Sequence, residues 1–594
     1  MNPSQIIVLA TPVFLLLIAL EFAWELRTRR GSFGLADAIN SLSLGILSQI
    51  SAVFTRLLRI GLYTAVAGSL SLVPAEAAQA FWTSWYGWLL ALLFYDFCYY
   101  WHHRLGHEVG VLWAAHVVHH QSEHYNLTTA LRQTSTGALL GWVFYLPMAL
   151  AGVPPLVFGV VALIDLLYQF WVHTEHVPRL GWFDRWFCSP SNHRVHHAVN
   201  DRYLDRNYGG VLIVWDRLFG TFCEEDPREP CVYGTRAPLR SWDPLWANAE
   251  VYAALARDAW HTRRWSDKLR VWLKPPGWRP EDVAARFPKP PFDIGRVQRF
   301  APPMHPGVAA LVVLQFVALL ALSLLFLWHA EGLSGLHALA WFAALTAGLW
   351  ANGAAAQGRI HWLEMLGLDA AALATASSAT GWVELHLVSK PLALLIALIF
   401  VATSHRLVLG LRQKMPQTPP QAASAGVERS LAGRGWLLAA LAASLAGDVA
   451  LMLPGLFIVG LGAFLLAHLA YLVLLRRDAP WFASKAALAA TLAAAAGVYA
   501  VLWAGGLPEG LRLPVAVYTG VIALMAAQAL GRARTLGDGA ARSVAIGACC
   551  FMLSDGLLAY NRFVQPLPAA QLAVLGSYYA AQWLIVGGWV RGRR

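Results

Sequence analysis

The residues best suited to chemistry in this chain are histidines. The 594-residue sequence contains 20, and 12 of them fall between His102 and His197. His103 and His107 stand four apart, while His116, His119 and His120 form H-x-x-H-H. His193, His196 and His197 repeat that pattern, and His173 lies between the two sets. Residues three and four apart share one face of a helix, so each cluster can aim two or three imidazoles at one point. Neutral imidazole binds Zn, Cu, Fe or Ni. A structural zinc takes four ligands, so nine candidates exceed the needs of one ion, and two metals are the economical reading.

A second set of residues stands out by where it sits. Asp448, Asp555, Lys390 and His468 occur inside long apolar runs. An ionised side chain at the centre of a membrane helix costs roughly 2.5–3.5 kcal/mol, so such groups call for a reason. Two carboxylates can share acid and base work. The same residues can also form a Lys–Asp pair that ties a helix bundle together. Tyr518, Tyr578 and Gln582 are candidate positioning groups, as is Tyr471 beside His468.

The elements that must position these groups are membrane helices. The chain is 57% hydrophobic and only 13% charged, against about 25% charged in soluble domains. The net charge of +11 does not indicate nucleic acid, because Arg and Lys cluster between apolar runs, as the positive-inside rule expects. The first run, Ile6 to Trp24, ends before Arg27, Arg29 and Arg30 and reads as an uncleaved span with Met1 outside. Further spans are expected within Ala38–Ala67 and at Phe81–Trp101. A Pro- and Gly-broken hairpin is expected at Thr136–Val172. Two spans lie at Gly307–Leu327 and Leu336–Ala355, and eight more lie between His361 and Val590. The Pro-, Ala- and Ser-rich stretch Gln413–Ser430 reads as a flexible linker. The six cysteines show no disulfide framework.

The expected architecture is therefore an all-α integral membrane protein. It has about 15 membrane-embedded helices in two bundles and a cytoplasmic, histidine-rich metal cap. The expected location is a bacterial inner membrane, with the N-terminus outside and the histidine clusters and C-terminus cytoplasmic. Asp448 and Asp555 should then lie toward the same membrane face. Asp96, two helical turns before His103, is expected either to support an imidazole or to pair with a cation.

HHRLGH, HVVHH and NHRVHH resemble the three histidine boxes of the fatty acid hydroxylase and sterol desaturase superfamily. Between the boxes, SE-x-YN-x-x-TALRQ and D-x-NYG...WDRLFGTF resemble its alkylglycerol monooxygenase branch. The resemblance covers roughly residues 10 to 300. It implies a di-iron centre that uses dioxygen to hydroxylate the carbon next to an ether oxygen. The ligands it implies are His103, His107, His116, His119, His120, His173, His193, His196 and His197. Animal enzymes of the branch use tetrahydrobiopterin, and Glu108 matches an acidic position linked to it. A carboxylate there can equally orient a ligand imidazole, so pterin or another reductant stays open, as does the electron donor. His102 offers a one-residue slip of the first box, which the H-x-x-x-H spacing decides for His103; His124 is read as a surface residue, and His176 is a candidate tenth ligand. Asp205, Asn207 and Asp216 match the branch and are expected to fix loops.

SKPL, SLAGDVALM, GLGAFLLAHLAYL, PVAVYTGVIALM, FMLSDGLLAYNRF and YYAAQWLIVGG resemble the lysoplasmalogenase family. The resemblance covers about residues 360 to 590 and implies an eight-helix hydrolase of vinyl-ether lipids. Asp448, Asp555, Lys390 and His468 are its chemical groups, with acid and base unassigned between the aspartates. The expected domains are an oxygenase at 1–304, connecting helices at 305–358 and a hydrolase at 359–594. The expected substrates are alkyl- and alkenyl-ether glycerolipids, with dioxygen and no nucleic acid. The competing reading is a sterol, carotenoid or fatty acyl hydroxylase or desaturase with a catalytically silent C-terminal bundle.

Overall fold

A computed structural model describes residues 3–412 and 420–592. Among the described residues the chain is mostly helical, with two isolated β-bridges and no strands. Ten helices are long and apolar enough to cross a membrane. The chain is an integral membrane protein. Five of the expected fifteen segments fall outside these ten. Trp85–Glu108 has the length, but its Tyr and Trp residues and polar end dilute its apolar character. The expected hairpin is broken into short pieces, of which Pro155–Tyr168 has 14 residues. Trp362–Thr380 carries Glu364 and Asp369, and Ala570–Arg591 carries Gln582 and two tyrosines.

The chain divides into two compact units. One comprises Met1–Gly332 with Asn352–Arg359, the other Leu333–Ala351 with Ile360–Arg594. In the first unit, Ser84 opens the Trp85–Glu108 helix by accepting a hydrogen bond from the Gly87 amide at 3.0 Å, a standard N-cap. That helix ends at extended Val109, and the next, Gly110–His120, starts at once. Glycine at 110 suits a close approach, since a Cβ there would stand 3.0 Å from the Val271 carbonyl oxygen. The two helices therefore turn sharply, and their histidines face one another. Ser189 caps the helix Pro190–His197, whose first residue is proline, a position where the missing N–H costs nothing. His173 lies in the turn that follows Pro155–Tyr168.

The second unit is a bundle around Phe400, Tyr471, Phe551 and Trp589. Its last two helices, Gly539–Phe563 and Ala570–Arg591, pack closely. A Cβ at Gly547 or Gly588 would come within 2.8 Å of the facing carbonyl oxygen of Ala581 or Ala540. Small residues allow such approaches between membrane helices. Arg591 pairs with Glu364 at 3.0 Å and ties the Ala570–Arg591 helix to Trp362–Thr380. Of the stretch expected to be a flexible linker, residues 413–419 lie outside the described residues. From Pro420 onward the chain is already in the helix Pro420–Met452, as its alanine content favours.

Candidate metal centre and intramembrane acid–base site

All nine candidate histidines converge, and they do so in two groups. His103, His107, His116, His120 and His196 form one; His119, His173, His193 and His197 form the other. Within each group one ring nitrogen per residue lies within 4.8 Å of all the others. Backbone carbonyls set the ring orientation. His103 Nδ1 donates to Tyr208 O at 2.8 Å, His119 Nδ1 to Arg132 O at 2.9 Å, and His173 Nδ1 to Gln169 O at 2.8 Å. His196 Nδ1 donates to Arg206 O at 3.0 Å. A carbonyl only accepts, so these Nδ1 atoms carry the proton and each Nε2 offers a lone pair.

The Nε2 atoms point at one another. His119 and His173 approach Nε2 to Nε2 at 3.1 Å, as do His173 and His193. In the other group, His116 Nε2 lies 3.1 Å from the Nε2 atoms of both His103 and His120. For His119 and His173 no hydrogen stands between the nitrogens, since both protons are committed to carbonyls. Facing lone pairs repel, and a shared cation is what relieves them. The Nε2 atoms of His107, His196 and His197 are buried without a hydrogen-bond partner, a costly arrangement for a plain core. Burial also holds the rings neutral. It pushes His119 down to about 4 and His103, His116, His120, His173, His193, His196 and His197 well below the usual imidazole range. Neutral, preoriented and nitrogen-only, the donor set fits two transition-metal ions with imidazole ligands.

Other histidines of the stretch lie outside both groups. His102 stacks on Phe144 and reaches Tyr145 OH at 3.5 Å. His176 Nε2 lies 3.4 Å from Glu25 and 3.3 Å from Ser32. His124 is half-buried against Gly34. Glu108 accepts from Arg104 Nε at 2.9 Å, with its side chain 39% exposed. Among the described residues, Asp96 neither supports an imidazole nor pairs with a cation. It accepts from the backbone amides of Val211 and Leu212 and from Trp215 Nε1, at 2.8, 3.1 and 2.9 Å. The chain between the Asn207 and Trp215 motif residues turns back onto the Trp85–Glu108 helix, and those amides need an acceptor. Asp216 accepts from the amides of Tyr208 and Gly209, both at 2.8 Å, so it braces the carbonyl that holds His103. Asn207 donates to Asn192 O and Cys223 O.

Arg132 is a supporting residue that sequence reasoning passed over. It is fully buried, its carbonyl holds His119, and its guanidinium donates to Val118 O at 2.7 Å and Asn40 Oδ1 at 2.8 Å. The only signal for it was its place in TALRQ.

In the second unit the polar groups form two clusters on one cavity. Lys390 Nζ lies 3.3 Å from Asp448, and Tyr578 OH donates to the same carboxylate at 2.7 Å. Tyr471 OH donates to Gln582 Oε1 at 2.7 Å, and Gln582 Nε2 donates to Tyr578 OH at 3.4 Å. Across the cavity, Tyr518 OH donates to Asp555. His468 Nε2 lies 3.0 Å from that phenol and 3.4 Å from the Asp555 carboxylate. Asp448, Asp555, Lys390, Tyr518 and Tyr578 line a cavity of about 250 Å3 whose other walls are mainly apolar. His468 is fully buried behind Tyr518. Two carboxylates facing one apolar cavity, one beside a cation and one beside a phenol, are equipped to protonate a substrate and stabilise the resulting cation.

Comparison with known proteins matches both halves. Residues 88–221 match the fatty acid hydroxylase family. Alkylglycerol monooxygenase of Danio rerio is 39% identical over 314 residues, which cover 52% of this chain and 68% of that protein. The chain belongs to the fatty acid hydroxylase family. The Homo sapiens alkylglycerol monooxygenase is 40% identical over 273 residues, 46% of this chain and 59% of its own length. Residues 385–589 match the YhhN family. Lysoplasmalogenase of Mycobacterium bovis is 37% identical over 168 residues, 27% of this chain and 62% of that protein. Apart from the Danio rerio protein, the chain thus spans about six tenths of the length of these relatives. No solved structure matches the chain significantly.

Proposed function

We propose that this protein degrades ether lipids by two chemistries, oxidation of alkyl ethers and hydration of alkenyl ethers, each releasing a fatty aldehyde. What carries the reading is that one chain joins a relative of alkylglycerol monooxygenases to a relative of lysoplasmalogenases, with a concentrated set of reactive side chains in each part. The oxygenase is assigned to residues 1–304 and the hydrolase to 359–594, with connecting helices at 305–358. The histidine groups and the C-terminus are assigned to the cytoplasmic face of a bacterial inner membrane.

In the oxygenase, five histidines would hold one iron and four the other. Iron bound there would supply activation of dioxygen for insertion at a C–H bond. The protein's own part is to hold neutral imidazoles in a fixed tautomer through the carbonyls of Tyr208, Arg132, Gln169 and Arg206. Hydroxylation next to the ether oxygen gives a hemiacetal, which collapses to an aldehyde and a glycerol hydroxyl. The electrons come from tetrahydrobiopterin or another reductant, and Glu108 is the residue proposed to contact it.

In the hydrolase, Asp448 beside Lys390 is assigned as the ionised carboxylate and Asp555 as the acid. Asp555 protonates the enol-ether carbon, and Asp448 stabilises the oxocarbenium ion that forms. Water adds to that ion, its proton returns to Asp555, and the hemiacetal collapses to aldehyde and lysolipid headgroup. His468 holds Tyr518, and Tyr518 holds Asp555. Purified protein incubated with alkyl- and alkenyl-lysolipids tests the reading. Aldehyde is expected from both, and no aldehyde from either would refute it.

A further inference from the structure

We propose that Arg562 binds the phosphate of the lipid headgroup and makes the C-terminal cavity selective for alkenyl glycerophospholipids over headgroup-free alkenylglycerols. This rests on the vinyl-ether hydrolase reading and adds to it the residue that recognises the headgroup. Arg562 lines the same cavity as Asp448 and Asp555. The cavity holds two cations, but they differ. Lys390 is paired with Asp448, whereas no carboxylate among the described residues pairs with Arg562.

The position of Arg562 suits a headgroup. It lies seven residues after Asp555 on the helix Gly539–Phe563, two turns along the same face and about 10 Å along the axis. From the enol-ether carbon to the phosphorus of a glycerophospholipid there are about seven bonds, roughly 8 Å when extended. A lipid with its double bond at Asp555 would therefore present its phosphate to the Arg562 side chain. Arg562 is an exposed residue, as a headgroup site requires. It is also held in place, 4.1 Å from the centre of the Phe457 ring. A planar cation preset over an aromatic face keeps its donors free for a bidentate oxyanion such as phosphate. An arginine that only reached out to bulk lipid would not be expected to line the cavity.

The test compares two substrates in full-length protein, an alkenyl glycerophosphoethanolamine and the matching alkenylglycerol, and reads the ratio of their kcat/KM values. Wild type is expected to favour the phosphate-bearing lipid, and R562Q to lower that ratio roughly tenfold to hundredfold. R562K should recover part of the preference. In wild type alone, a saturated alkyl glycerophospholipid should inhibit more strongly than the matching alkylglycerol, which tests the site without any variant. Aldehyde formation with an unchanged ratio in R562Q, or equal inhibition by both analogues, would overturn the Arg562 assignment and leave the hydrolase reading standing. No aldehyde from either substrate in wild type would overturn both.

Discussion

In the first unit, nine imidazoles gather in two groups, and four of them, His103, His119, His173 and His196, turn an Nδ1 proton outward to a backbone carbonyl. In the second, each carboxylate already has its partner, a lysine and a tyrosine for Asp448 and a tyrosine and a histidine for Asp555. The histidine groups are filled with ring nitrogens that could hold metal. The bundle cavity is mainly apolar, and the two carboxylates in its lining are already partnered. On the proposed reading, one architecture would borrow its reactivity from bound ions. The other builds it from the chain's own acids, and each should fail in its own way.

The sharpest separation should come from losing a proposed iron ligand. H119A removes a nitrogen from the four-histidine group. It is expected to halve the iron content or lower it further, read by elemental analysis, and to cut alkyl-ether oxidation by more than the roughly 10–100-fold that loss of an outer partner costs. Alkenyl-ether hydrolysis should persist. A single tightly held zinc, with no oxygen consumption, would break the metal half of the comparison.

Next come the carboxylates. D448N and D555N should each lower alkenyl-ether hydrolysis roughly 10²–10⁴-fold, the range of acid–base contributions, while iron content stays at the wild-type value. Full hydrolysis in either variant would return that aspartate to a structural role.

A smaller effect is expected from D216N. It weakens the bracing of the Tyr208 carbonyl that holds His103, so iron affinity should fall about 10–100-fold in a chelator titration without loss of the histidine set. The smallest effect on stability belongs to E108Q. The Arg104–Glu108 pair is partly exposed, so its loss costs about 0–1 kcal/mol in unfolding measurements. A marked change in reductant dependence despite that small cost would mark Glu108 as a reductant contact.

The sequence made the histidines legible because three-and-four spacing survives folding, as helix faces do. His102 beside His103 was decidable for the same reason, since only His103 keeps the four-residue step to His107. His173 entered the count as a lone histidine at the end of the broken hairpin, and only the folded turn shows it beside His119 and His193. The carbonyls that fix the rings were not legible, because any residue has one. Only the fold reveals that Arg132 and Tyr208 provide them. Asp96 was misjudged for a related reason: helical spacing put it under His103, but the amides of a returning loop took it instead. In the bundle, polar residues in apolar runs announced themselves by their cost. Their pairing, Lys390 with Asp448 and His468 with Tyr518 and Asp555, needed the packing of helices far apart in sequence.

The central claim is that one chain carries two independent aldehyde-forming centres. The most direct measurement is a crossed assay of wild type, H119A and D448N, following aldehyde from an alkyl- and an alkenyl-ether lysolipid in parallel. H119A should lose only the alkyl-ether reaction and D448N only the alkenyl-ether reaction. Loss of both reactions in either folded variant, or retention of both, would contradict the account.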